Sequence, residues 1–197
     1  MPYSPLWPLE VRALPPEALA GHRRIPAPDI NRVTLVLALA IPLLLWPAYG
    51  PLALLLAFPL ARLLVLDACC YLLPNLYTLP LISGGVVYAW MSGFGTPALM
   101  MVAVLLLVRE GVLRLPPSRI GIGGGDFMLL AALFSWLPLA PACFAVALGC
   151  VIYLPVAFAL PGRPIPFGVP LIAGWLLMAL LGQTVLRDLP LREFWPI

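Results

Sequence analysis

Four stretches of this chain, residues 33–61, 68–108, 127–162 and 164–186, carry no charged side chain at all. A helix crossing hydrocarbon needs roughly 20 apolar residues, within a range of about 17–25. Each stretch can therefore hold at least one crossing, and the two longest can hold two each. The 11 basic and 8 acidic residues are confined to the remaining segments. Charged residues make up 10% of the chain and hydrophobic ones 63%, whereas an ordinary soluble domain is about 25% charged. These figures exclude a water-soluble globule, a disordered chain and a collagen-like repeat. The pattern predicts an all-α, polytopic membrane helix bundle.

The turn signals divide the tracts into about seven transmembrane helices, with six to eight compatible with the lengths. The expected spans are 33–49, 52–67, 76–92, 96–113, 126–138, 141–160 and 168–186. They are separated by Tyr49-Gly50-Pro51, by Ser92-Gly93-Phe94-Gly95 and by Pro138-Leu139-Ala140-Pro141 within the tracts. Pro42, Pro59 and Pro155 fall inside expected spans. Residues 1–32, with seven prolines, read as an irregular arm; 33–187 form the membrane domain and 188–197 a short tail. No early apolar run with a cleavage site precedes the first span, so no removable signal peptide is expected.

Arginine placement sets the expected orientation. With the N-terminus in the cytoplasm, that side receives Arg12, Arg23, Arg24, Arg32, Arg109, Arg114, Arg119 and Arg163, and Arg62 near a helix end. The opposite side receives uncharged turns and a tail with Arg187 and Arg192. The positive-inside rule favours this topology. Other chemistries find little support. The net charge of +3 makes no case for nucleic acid, and the single histidine, His22, excludes a His-pair metal site. Cys69, Cys70, Cys143 and Cys150 form no C-x-x-C pair and read as small apolar residues. No metal and no cofactor is expected, and the sequence carries no signal for oligomeric state.

Ionisable groups in or beside a span are costly and are functional candidates by default. Asp67, Asp126, Arg62, Arg109 and Glu110 qualify. Arg109 and Glu110 read as snorkelling at a helix end. Arg62 either snorkels or pairs with Asp67 five residues on. Asp126 follows Gly121-Ile122-Gly123-Gly124-Gly125 and opens an apolar helix. An aspartate there could simply be an N-cap, but a cap does not need four glycines, which permit close approach of backbone or substrate. Asp67 closes a helix, where the macrodipole disfavours a carboxylate. Brought together, two such acids share one proton. One can then deprotonate a water while the other polarises a scissile carbonyl.

Three blocks carry a resemblance to the type IV prepilin peptidases, members of the GxGD aspartic proteases. The first is Asp67 with Pro74-Asn75 and Leu76-Tyr77-Thr78-Leu79-Pro80-Leu81-Ile82. The second is Gly121-Ile122-Gly123-Gly124-Gly125-Asp126-Phe127-Met128-Leu129, and the third is Ile165-Pro166-Phe167-Gly168-Val169-Pro170. The resemblance implies an aspartic endopeptidase of the bacterial inner membrane, with Asp67 and Asp126 as the catalytic pair. Gly121, Gly123, Gly125, Pro74 and Asn75 would be motif residues around the pair. Its partners would be the lipid bilayer and a prepilin or pseudopilin, whose short basic leader it would remove at the cytoplasmic face.

Two departures from the family pattern stand out. Met128 replaces the family's usual lysine. No four-cysteine domain fits in residues 1–75, so a short-form peptidase without methyl transfer is expected. Two alternatives remain open at this point. One is a non-catalytic membrane scaffold of a pilus or secretion assembly, which Met128 alone supports. The other is a presenilin-like or signal-peptide-peptidase-like protease, although the chain's Pro97-Ala98-Leu99 precedes the glycine motif rather than following it.

Overall fold

A computed structural model describes residues 27–114, 123–159 and 166–184. Gly121, Arg119, Arg163, Ile165, the first 26 residues and the 185–197 tail lie outside them. Seven helices make up the described residues: α1 (Ala27–Tyr49), α2 (Leu52–Cys70), α3 (Asn75–Met91), α4 (Gly95–Leu113), α5 (Gly124–Trp136), α6 (Leu139–Ala159) and α7 (Gly168–Thr184). The architecture is a polytopic helical membrane bundle, as the charge-free tracts predict.

The breaks fall where the turn residues place them. Gly50, at φ +52°, separates α1 from α2, and Gly93, at φ +85°, separates α3 from α4. The interior prolines Pro42, Pro59 and Pro155 are accommodated within α1, α2 and α6. Several boundaries differ from expectation. α1 begins at Ala27, six residues before the expected span, because Asp29 in its first turn suits a helix start. α5 ends at Trp136 and α6 begins at Leu139, so the two-residue α5–α6 turn shifts from 139–140 to Leu137 and Pro138. α2 runs on to Cys70, where Tyr71 closes it at φ 54° by donating its N–H to the Asp67 carbonyl.

Two layers of helix follow from burial. α1, α2, α4 and α6 are long and apolar enough to cross a bilayer. Among them α1, α4 and α6 present large apolar side chains outward, such as Leu43, Leu107 and Phe158, as expected where lipid rather than water is the surrounding solvent. α5 and α7 are shorter and lie inside. α5 packs chiefly against α3 and α4, while α7 packs against α6 and α1. Leu129, Leu133, Leu171, Ile172 and Trp175 of these two helices are fully buried in one apolar core that also takes in Leu56, Leu60 and Leu63 of α2.

The indole N–H groups of this core have partners, as a dry interior requires. The Trp136 indole N–H donates to the Leu81 carbonyl at 2.8 Å, and that of Trp175 donates to the Tyr49 hydroxyl at 3.1 Å. The Trp136 ring stacks on Tyr88 with centroids 5.2 Å apart and meets Tyr49 edge-on at 5.7 Å. Arg62, eleventh of the 19 residues of α2, is buried. It turns neither to the membrane surface nor along its own helix. Its guanidinium donates to Asn31 Oδ1 at 2.9 Å and to Thr34 Oγ1 at 3.3 Å, both on α1. Thr34 in turn donates to the Ile30 carbonyl at 2.8 Å, which leaves its oxygen free to accept from the arginine. Of the four cysteines only Cys70 is buried, and Cys143 faces outward.

Candidate active site

One end of the bundle gathers the C-terminal turn of α2, the 71–74 loop, and the first turns of α3, α5 and α7. Asp67 comes from the last turn of α2. Its side chain is only 4% exposed, in the position the helix macrodipole favours least. The compensation comes from another helix. Asp67 Oδ2 accepts the backbone N–H of Val169 at 2.9 Å. Val169 is the second residue of α7, so its N–H is one of the donors a helix start leaves without an intrahelical acceptor. A carboxylate placed against such a start also meets the positive end of the α7 dipole.

Asp126 is held by its own helix. α5 starts after Gly123, whose extended backbone occupies the N-cap position. Asp126 is thus the third residue of the helix rather than its cap. Its Oδ2 accepts the Gly123 N–H at 2.9 Å, while its own N–H donates to the Gly123 carbonyl at 3.1 Å. This is the return arm of a capping box, with glycine where serine or threonine would ordinarily stand. Asp126 is partly exposed, whereas Asp67 is buried. The end of α2 and the start of α5 that bear the two acids lie at the same end of the bundle, with Leu73 against the starts of both α5 and α7.

The glycine motif has a physical reason at Gly125. A Cβ there would stand 2.8 Å from Leu73 Cβ, closer than real side chains approach. Gly125 thereby lets the start of α5 close onto the 71–74 loop. Pro74 caps α3 with φ −65° and ψ 135°, and its carbonyl accepts the N–H groups of Tyr77 and Thr78. Asn75 is the exposed first residue of α3. Met128 is buried in the main apolar core, so a methionine fits its position without an ion-pair partner. Arg109 and Glu110, expected to snorkel, form an ion pair at 2.5 Å on the last turns of α4. No group of three or more potential metal ligands occurs among the described residues.

Sequence reasoning did not assign a task to Leu73, Gly168 or Val169. Gly168 and Val169 stand in the third block of the resemblance, and that block was the available signal. A fold-level contact across 102 residues of sequence, from Val169 to Asp67, has no signature in either segment taken alone.

Comparison with known proteins agrees with this picture. The profile of the type IV leader peptidase family matches residues 53–158. A prepilin leader peptidase/N-methyltransferase of Aeromonas hydrophila is 33% identical over 174 residues, covering 81% of this chain and 60% of that protein. Proteins of the same description from Dichelobacter nodosus and Neisseria gonorrhoeae are 35% and 33% identical over 135 and 127 residues. They are covered to 46% and 44% of their lengths, by 63% and 60% of this chain. The chain thus spans about three fifths of the length of the Aeromonas relative. No solved structure matches it.

Proposed function

Because the chain belongs to the type IV leader peptidase family, we propose that it is an aspartic endopeptidase that removes the short basic leader of a prepilin or pseudopilin. The observation that supports the proposal is the placement of Asp67 and Asp126 at one end of the bundle, where Leu73 lies against both Gly168, beside Asp67, and Gly125, directly before Asp126. The two acids share one proton between them. The ionised carboxylate takes a proton from water as its oxygen attacks the scissile carbonyl carbon. The protonated carboxyl donates to the carbonyl oxygen and supports the tetrahedral intermediate. Collapse then delivers a proton to the departing amine nitrogen. General acid–base help of this kind is worth about 10²–10⁴ in rate.

Orientation belongs to the proposal as well. Arg32, Arg109 and Arg114 lie at or near the ends of α1 and α4 that carry the site, which favours a cytoplasmic face on an inner membrane. A prepilin leader is basic, and its cleavage point precedes an apolar helix, so a site at the cytoplasmic membrane edge suits both parts. The proposal covers leader removal and leaves aside the methyl transfer that the relatives' names also carry.

Co-expression with a candidate prepilin tests the reading. A shortened product whose new N-terminus begins the apolar helix is expected, and an intact leader under conditions where the membrane protein accumulates would overturn it. A cysteine at Arg114 should label with an impermeant maleimide only in inverted membrane vesicles. Labelling in intact spheroplasts would reverse the orientation.

A further inference from the structure

We propose that Gly168 is a positioning residue for Asp67, and that the first turn of α7 sets where this carboxylate stands relative to Asp126. The inference rests on the aspartic-peptidase reading and assigns a task within it to the third sequence block. Two observations carry it. The first is space. A Cβ on Gly168 would lie 2.6 Å from Asp67 Oδ2 and 3.0 Å from its Cγ. The atoms crowded by any side chain at 168 are thus the carboxylate itself. The second is bonding. The adjacent Val169 N–H donates to the same Oδ2. Gly168 permits the approach, and the Gly168–Val169 backbone at the helix start holds the Asp67 carboxylate.

Leu73 extends the grip to the second aspartate. Its Cδ1 would stand 3.2 Å from a Cβ on Gly168, and its Cβ 2.8 Å from a Cβ on Gly125. One leucine therefore rests against the backbone beside both acids, Gly168 under Asp67 and Gly125 directly before Asp126. With a bare glycine on each side, Leu73 acts as a spacer between the α7 and α5 starts. The separation of the carboxylates follows from these contacts rather than from the distant helix packing. Of the charged groups on the packed elements, Asp126 follows Gly125 on α5, and Arg62, on the helix of Asp67, donates to Asn31 and Thr34.

The test uses the full chain in membranes, cleaving a prepilin peptide. Gly168→Ala is expected to lower kcat about 100-fold, the order that a displacement of about 1 Å costs, with KM little changed. The midpoint of its pH–rate profile should move, because the displaced carboxylate loses its donor. Val169→Pro replaces the donated N–H with the proline ring carbon, which points at the same Oδ2. Proline is tolerated in the first turn of a helix, so this variant should fold and show the same displaced profile with a comparable kcat loss.

Gly85→Ala serves as the structural control. Its Cβ would press on Ser135 and Trp136, at the opposite end of α5 from Asp126. It should reduce thermal stability and leave the pH profile in place. If Gly168→Ala and Val169→Pro both keep the parent pH profile and kcat per folded molecule, the inference is wrong. Asp67→Asn in the same assay separates the two levels. An inactive Asp67→Asn beside an unaltered Gly168→Ala sinks only the positioning role, whereas an active Asp67→Asn sinks the peptidase reading beneath it.

Discussion

Asp67→Asn and Asp126→Asn are each expected to abolish leader cleavage, with a loss of at least about 10³-fold in kcat. The substitutions are nearly isosteric, and both keep the contacts that build the site. An asparagine at 67 still accepts the Val169 N–H, and one at 126 still accepts the Gly123 N–H. The helix starts therefore stay where they are. What disappears is the ability to hold and pass a proton. The double variant should be no worse than either single one, since the two groups act as a unit and such effects are not additive. Turnover of a prepilin peptide, with thermal unfolding measured on the same preparations, checks this. More than a few per cent of parental activity in either single variant would remove that residue from the pair.

The second large effect concerns stability. Asn31→Leu combined with Thr34→Val is expected to cost about 3 kcal/mol, because hydrogen bonds to a charged group are worth about 1.5–3 kcal/mol and both named partners of the buried Arg62 guanidinium would go. Adding Arg62→Met should recover most of that loss. Removing two acceptors weakens the support of a buried charge, while replacing that charge with a packed apolar group removes the need for them. Reversible unfolding in mixed micelles measures both variants. A double variant as stable as the parent, or a triple variant no better than the double, would show that the α1–α2 contact is held by apolar packing alone.

Much of the architecture was legible because a bilayer imposes simple rules. Charge-free tracts give helices, and Gly50, Gly93 and Pro138 mark their ends. The ends themselves were less legible. The extension of α2 to Cys70 depends on Tyr71 entering the left-handed region, which tyrosine rarely signals. The α1 start at Ala27 was hidden in a proline-rich stretch. The two acids could be picked out because so few charges share the spans. The arrangement around them could not, since it depends on Leu73 reaching Gly125 and Gly168 from opposite sides of the fold. Arg62 shows the same limit. Its near neighbour in sequence was Asp67, yet its hydrogen bonds run to Asn31 and Thr34, 31 and 28 residues away.

None of the residues from Gly124 to Pro138 is exposed, so the helix bearing Asp126 scarcely meets lipid. At 13 residues it is about 20 Å long, well short of the roughly 30 Å of a hydrocarbon slab. Acyl tails instead press on α1, α4 and α6, each of 19 residues or more. When bilayer thickness changes, these outer helices can answer by tilting, at fractions of a kcal/mol for each ångström of mismatch. The short helix inside is carried along without being stretched or left bare. Under the peptidase reading, the end of that helix that bears Asp126 is thereby kept apart from changes in acyl-chain length.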